Sequence, residues 1–259
     1  MSTASTSERR TATARYSRSM EELEAIAAAP IGVFAWVRGD GTPGSCAVTP
    51  FVINRHIIVT STLAFTAKAA AVRRDARVAV LAGGQHVVGR AEVFVDESPR
   101  WFDENIRQAE IEKFPPTRSI LAIPGHRCFF PWYVGRIVIR FLPEQVTRVG
   151  RGDSVTATQM VDSHLRVTPI ALEPSGAPIA TRLDDGPTHV LVHQEHRNMA
   201  DLRQLSIRGS VVSGRFEETA RNGSLMPGPT GMSSQISQLR SLASSAKRNK
   251  ALIRSWRAA

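Results

Sequence analysis

Residues 56–68 have the sequence HIIVTSTLAFTAK, in which an apolar run passes into hydroxyl side chains and ends on a lysine. The β-branched run predicts a strand, and the alanine-rich AAAVRRD that follows predicts a helix. Hydroxyls at such a junction commonly cap the helix. They also suit a phosphate, which needs hydrogen-bond donors, a cation and a helix N-terminus. Two hypotheses stay open, a helix cap or a phosphate cradle of Thr60, Ser61, Thr62, Thr66 and Lys68.

The segments on either side of this junction carry the signals of antiparallel strands. β-Branched runs are separated by an Asp-Gly turn at 40–41, a proline at position 50, and turns near 54–55 and 83–84. Turns this short join antiparallel neighbours. Helical patterns in 66–76 and 99–116 interrupt the strands. The sequence therefore predicts a mainly β fold with some α, an antiparallel barrel with two inserted helices.

Composition divides the chain into four parts. We predict a disordered basic tail over 1–18, the barrel domain over 19–149, a β-rich extension over 150–220, and a linker with a basic amphipathic helix over 221–259. The apolar face of that helix should dock on the body or on a partner. In the extension, GAPIATRLDD, HVLVHQE and VVSGRFE resemble GTPGSCAVTP, HIIVTST and VVGRAEV in the same order, which predicts a degenerate half-repeat.

The net charge of +10 is confined to the two ends of the chain. Residues 1–20 hold four arginines and one glutamate, and residues 219–259 hold seven cations and no acid, so the body between them is neutral. Nucleic-acid binding is therefore expected only through the tails. The two cysteines show no CxxC spacing, the N-terminus has no signal peptide, and no apolar run is long enough for a membrane span. A cytoplasmic protein without membrane contact is expected.

The order of these segments resembles the FMN-binding split-barrel superfamily, the pyridoxamine 5'-phosphate oxidase-like group with its deazaflavin-dependent relatives. The resemblance covers residues 31–149 and rests on the succession DGTP, a strand ending in Thr-Pro, an apolar strand closing on Thr-Ser-Thr, Thr-x-Lys, RRDARVAV and VVGRAEV. It implies a split barrel that binds FMN or a deazaflavin coenzyme at a homodimer cleft. It also implies hydride transfer to or from a small organic substrate.

The resemblance further implies which residues meet the cofactor. The hydroxyls of 60–66 and Lys68 would hold the phosphate, and Gln85 would lie near the ring. Tyr133 and His126 are candidate proton donors, although the catalytic group stays unassigned. The chain has Ala67 where the pyridoxamine-phosphate oxidases have an arginine beside the lysine, which argues against the vitamin B6 oxidase reaction itself. Further contacts with the ring and across the dimer interface would come from Val48, Thr49, Pro50, Trp132 and Arg136.

Three histidines, His189, His193 and His196, leave a second class of function open. On a strand, the first two point to one face about 13 Å apart, at ~3.3 Å per residue, which is too far for one metal ion. No metal site is therefore predicted. A haem ligand among these histidines remains the alternative, in a haem- or flavin-binding sensor, carrier or haem-dependent enzyme without flavin turnover.

Overall fold

The computed structural model describes residues 20–113, 135–150, 152, 154–194, 202–226 and 232–256. The predicted class, mainly β with some α, is confirmed. The helices are α1 (20–28), α2 (Ala67–Arg74), α3 (Arg100–Asn105), α4 (Arg107–Lys113) and α5 (Met232–Ser255). The first seven strands are β1 (Gly32–Val37), β2 (Pro43–Val48), β3 (Phe51–Ile53), β4 (His56–Thr62), β5 (Arg77–Ala82), β6 (Gln85–Asp96) and β7 (Arg136–Arg148). The last five are β8 (Val155–Val161), β9 (His164–Pro169), β10 (Gly186–Gln194), β11 (Arg203–Val212) and β12 (Arg215–Ser224).

The first seven strands form one antiparallel sheet in the order β2-β1-β5-β6-β7-β4-β3. Strands β2 and β3 lie at opposite edges, yet only Thr49 and Pro50 separate them in the chain. Such a connection spans about 11 Å at most, at 3.8 Å between consecutive Cα atoms. The sheet must therefore roll until its edges approach. Because those edges do not pair, the result is an open, split barrel, as the resemblance of the sequence implies.

Side-chain alternation lets two hydrophobic cores share the strands β1 and β5. Phe34 and Val80 point into the barrel, whereas Ala35 and Leu81 point out of it. The interior is closed by α1 and α2, and Ile253 of α5 belongs to the same cluster. The barrel core thus depends on a helix near the end of the chain.

The last five strands form a second antiparallel sheet in the order β12-β11-β10-β8-β9. Leu165, Val167 and Leu191 of this sheet pack against the outer face of β1 and β5. That covering explains why GVFAWV and VAVLA are apolar on both faces, since a strand buried on both sides carries a continuous apolar run. The predicted boundary near position 150 falls between β7 and β8.

Two local predictions differ from the structure. The helical pattern of 99–116 gives two short helices, because Ile106 leaves helical geometry with φ −126° while its side chain is buried in the cluster around Phe102. The linker begins later than 221, because β12 stays paired with β11 as far as Ser224. The predicted tail over 1–18 lies outside the described residues.

The three pairs of similar segments behind the predicted half-repeat can be located in the structure. HIIVTST forms β4, and residues 189–194 of HVLVHQE lie on β10. The segment GTPGSCAVTP contains β2, whereas 176–185 contains only an isolated bridge. VVGRAEV lies inside β6, whereas VVSGRFE spans the β11–β12 turn, where Ser213 and Gly214 have positive φ. The second and third pairs of similar segments therefore form different elements.

Candidate functional site

A cavity of about 670 Å³ lies between the two edges of the rolled sheet. One side is formed by the end of β2 with the β2–β3 connection, and the other by the end of β4 with the start of α2. Its apolar and aromatic lining comprises Trp36, Cys46, Ala47, Val48, Phe51, Ala64, Phe65, Ala67 and Leu202. Its hydroxyl lining comprises Thr49, Thr60, Ser61, Thr62, Thr66 and Ser245.

The five residues of the predicted phosphate cradle all line this cavity, and so do Val48, Thr49 and Arg136. The structure brings them together because Thr62 pairs with Arg136 across β4 and β7, and the chain then turns sharply into α2. The backbone N–H of Phe65 donates to the carbonyl oxygen of Thr62 over 3.0 Å within that turn. The strand end, the turn and the helix start therefore face one space.

Thr66 is the N-cap residue of α2, yet its hydroxyl makes no capping hydrogen bond. The first backbone N–H groups of an α-helix have no partner within the helix. Thr66, Ala67 and Lys68 line the cavity at this point. The cap hypothesis thus fails for Thr66, and the free helix end, with its partial positive charge, lies where an anion would be stabilised.

Charged residues give the described lining a positive balance. Lys68, Arg136 and Arg248 are its cations, and Glu110 is the one carboxylate among the described lining residues. Glu110 Oε1 lies 3.3 Å from Nη2 of Arg136, a side chain only 2% exposed whose guanidinium lies 4.4 Å from the centre of the Phe102 ring. Glu110 therefore balances Arg136, and Lys68 with Arg248 provides the positive field that an anionic ligand needs.

Buried atoms of two lining residues, Thr62 and Cys46, fit a ligand that combines polar groups with an apolar ring. The hydroxyl oxygen of Thr62 is buried, and no described residue is its hydrogen-bond partner. A buried polar atom left in this way costs roughly 1–3 kcal/mol, which a ligand hydrogen bond would offset. Burial raises the pKa of the Cys46 thiol, although the charge of Lys68 opposes the rise, so Cys46 stays neutral in the apolar wall.

The C-terminal half of the chain supplies lining residues that sequence reasoning missed. Gln204 at the start of β11 accepts a hydrogen bond from the backbone N–H of Ala47 over 3.2 Å. Asn249 Nδ2 donates to the carbonyl oxygens of Leu63 and Ala64 over 3.1 and 3.0 Å. The sequence signal was the polar Asn249 within the apolar face of the last helix. Among the described residues, this half contributes Leu202, Gln204, Ser245, Arg248 and Asn249.

Two predicted cofactor contacts do not line the cavity. The carbonyl oxygen of Pro50 accepts from Lys113 Nζ over 2.6 Å, and burial lowers the pKa of Lys113 to about 8. Gln85 is buried in the β5–β6 hairpin, whose turn packs so closely on α1 that a Cβ at Gly83 would lie 2.2 Å from the carbonyl oxygen of Ala25. Trp132, Tyr133 and His126 lie outside the described residues.

His189 and His193 are buried in β10, away from the lining of the cavity. His189 Nδ1 lies 2.8 Å from the Ser45 hydroxyl, and its Nε2 lies 2.6 Å from the Ser206 hydroxyl. Burial lowers the pKa of His189 to about 3. Since both ring nitrogens are engaged, His189 links the two sheets and has no lone pair left for a haem iron. His196 lies outside the described residues.

No family model and no curated protein matches the chain. Solved structures similar to it include general stress protein 26 from Bacillus anthracis, with 17% identity over 50% of this chain and 92% of that one, at a TM-score of 0.36. An FAD-binding protein from Mesorhizobium loti has 21% identity over 49% and 90%, at 0.34. A protein of the pyridoxinephosphate oxidase family from Clostridium acetobutylicum has 10% identity over 59% and 94%, at 0.32. At these identities the likeness concerns the fold alone.

Within the described ranges, no helix combines the length and the apolar character that crossing a bilayer requires.

Proposed function

We propose that the cavity binds a phosphorylated flavin-type cofactor, FMN or the deazaflavin coenzyme. In this proposal the protein is an oxidoreductase that transfers a hydride to or from a small organic substrate. The observation that carries it is the convergence of the predicted phosphate cradle, from Thr60 to Lys68, on a cavity whose other side is apolar and aromatic. A phosphorylated ring system requires both kinds of surface in one site.

The bound cofactor would supply the hydride chemistry, and the chain would bind it, orient it and exclude water. Lys68 would make a charge-assisted hydrogen bond to the phosphate, supported by the hydroxyls of Thr60 and Ser61 and by the start of α2. The end of β2, with Cys46 and Val48, would flank the ring. A neutral thiol at position 46 keeps that wall apolar.

The remaining parts of the proposal concern partners and place. Tyr133 and His126 stay candidates for the proton donor to a reduced substrate. We propose a homodimer, in line with the resemblance of the sequence, and light scattering of the purified protein tests it. A cytoplasmic location agrees with the free thiol of Cys46.

The absorption spectrum of the purified protein tests the cofactor. A flavin or deazaflavin band that a reductant bleaches and a substrate restores would support the oxidoreductase. A Soret band would instead support the haem-binding alternative. No described residue of the lining is a histidine, so the proposal favours the first outcome.

Lys68→Ala tests the cradle. The variant loses a charge-assisted contact of roughly 1.5–3 kcal/mol, so FMN should bind about ten- to a hundredfold more weakly in a fluorescence titration. Riboflavin has the same ring without the phosphate, and its affinity should not change. Lys68→Arg keeps the charge and should retain most of the FMN affinity. Equal FMN affinity in a folded Lys68→Ala protein would overturn the cradle.

A further inference from the structure

Helix α5 forms one wall of the cavity, although it lies far from the cradle in sequence. Ser245, Arg248 and Asn249 all belong to the lining. The side chain of Asn249 donates to the carbonyl oxygens of Leu63 and Ala64, about 186 positions earlier in the chain. These two carbonyls lie between β4 and α2, inside the predicted cradle. Helix α5 is therefore anchored on the cradle itself.

Apolar contacts fix the same face of α5 on the barrel. Ala246 packs against Ala64, and Ile253, only 2% exposed, belongs to the barrel core. The Arg73 guanidinium lies 5.7 Å from the centre of the Trp256 ring. Positions 246, 249 and 253 are three or four residues apart and so lie on one face of the helix. This docking holds the adjacent Arg248 at the cavity.

Arg248 differs from the other cations of α5. Its Nη2 donates to the hydroxyl of Ser245 over 2.9 Å, one turn earlier, and both residues line the cavity. Lys247, Arg248 and Lys250 are all exposed, but of these three only Arg248 belongs to the lining. No acidic side chain of the described residues forms an ion pair with Arg248. Its guanidinium therefore meets the cavity with hydrogen-bond donors to spare.

We propose that Arg248 binds the same phosphoryl group as Lys68, so that α5 completes the cofactor site within one chain. The inference rests on the proposed function and adds a second cation to it. A guanidinium matches phosphate oxygens with two parallel N–H donors, which a lysine cannot offer. Because α5 and the ligand meet, binding and helix docking stabilise each other by the same free energy.

The test compares Arg248→Ala with Lys247→Ala in the full chain, each titrated with FMN and with riboflavin. The two variants lose the same charge from neighbouring positions on α5. Arg248→Ala should weaken FMN binding about tenfold or more and leave riboflavin binding unchanged, whereas Lys247→Ala should change neither. Arg248→Lys should recover part of the loss. In hydrogen–deuterium exchange, FMN should protect α5 in the wild type and less so in Arg248→Ala.

Several outcomes would overturn the inference. Unchanged FMN affinity in Arg248→Ala would show that Arg248 does not contact the phosphate. An equal loss of FMN and riboflavin affinity in Arg248→Ala would show that the residue has only a structural role. An equal loss of FMN affinity in Lys247→Ala would show that only the general positive charge of α5 matters. The Lys68→Ala variant separates the two proposals, because it tests the cradle without touching α5. If the wild type binds no flavin, the proposed function falls. The role of Arg248 is then tested with inorganic phosphate, whose binding is followed by the NMR shifts of the backbone amides of residues 66–68. A weaker response in Arg248→Ala than in Lys247→Ala supports the contact. Equal responses in the two variants overturn it.

Discussion

Besides the apolar side formed by β2, the cavity has two walls that the chain builds in different ways. The first is one continuous segment, from Thr60 to Lys68, in which a strand end, a turn and a helix start follow one another. The second combines Gln204 of β11 with Ser245, Arg248 and Asn249 of α5. A short motif contains the chemistry of the first wall. The second wall exists only after separate elements have docked, so its chemistry depends on tertiary contacts.

The two walls are also held by different forces. Backbone ladders fix the first, since Ser61 pairs with Ile137 within the seven-stranded sheet. Side chains fix the second. Asn249 and Ile253 hold α5, and His86 Nε2 accepts from the backbone N–H of Val167 over 3.1 Å between the two sheets. Perturbations of these side chains should therefore remove the second wall and leave the first.

Acid should weaken the contact between the two sheets, and this is the largest effect we expect. Burial, aided by Arg166, lowers the pKa of His86 to about 4, and burial, aided by Arg38 and Arg208, lowers that of His189 to about 3. In the unfolded chain, where the histidine pKa is near 6.5, these two side chains bind protons below about pH 6.5, whereas in the folded chain they stay neutral down to about pH 4. The free energy of unfolding should therefore fall by several kcal/mol between about pH 6.5 and pH 4, as measured by urea denaturation.

His86→Gln tests the origin of this pH dependence. A glutamine oxygen can still accept from Val167, but it does not titrate, so the variant should lose part of the fall in stability below pH 6.5. His164→Gln is the matched control, because this histidine is exposed at the start of β9. Identical pH profiles for His86→Gln and the wild type would assign the fall to other groups.

Ile253→Ala should have the next largest effect. Ile253 is 2% exposed in the barrel core, and truncating such a side chain lowers the free energy of unfolding by about 2–5 kcal/mol. The neighbouring Leu252 is 41% exposed, so Leu252→Ala should change it by less than about 0.5 kcal/mol. Urea denaturation measures both variants.

The same pair of variants tests whether docking of α5 supports the cofactor. Under conditions where Ile253→Ala stays folded, it should weaken FMN binding, because it loosens the wall that carries Arg248. Leu252→Ala should bind FMN like the wild type. If Ile253→Ala lowers the stability without any loss of FMN affinity, α5 does not contribute to cofactor binding.

The sequence was sufficient wherever the deciding interactions are local. The turn at 54–55 is predictable because asparagine favours the positive φ that a two-residue hairpin requires, and Asn54 and Arg55 both adopt it. The cradle is predictable because its residues lie close together in the sequence. Periodicity shows which face of an element is buried but not which element it meets. For that reason the sequence alone does not place Asn249 at the cavity. The resemblance implies a position near the ring for Gln85, whereas in the structure the tight turn at Gly83 packs the hairpin of Gln85 against α1.

Thr66→Val is expected to have the smallest effect, and it returns to the two hypotheses for the hydroxyls. Since Thr66 makes no capping hydrogen bond, the variant should not lose the ~1 kcal/mol that a cap normally contributes. It should lose one hydrogen bond to the phosphate, of roughly 0.5–1.5 kcal/mol, and bind FMN about two- to tenfold more weakly. Thr42→Val is the control, because its hydroxyl donates to Asp40 in an exposed turn.

The pattern of results for Thr66→Val discriminates between a cap and a cradle. Weaker FMN binding at unchanged stability, with riboflavin binding unaffected, means that the hydroxyl serves the ligand. Lower stability with unchanged FMN affinity means that it caps α2 in solution after all, and the cradle then loses its helix-end component. In that case Lys68 and Arg248 would bind the phosphate without the helix terminus, and salt should weaken FMN binding more steeply, because two flexible side chains are more exposed to screening than backbone N–H groups.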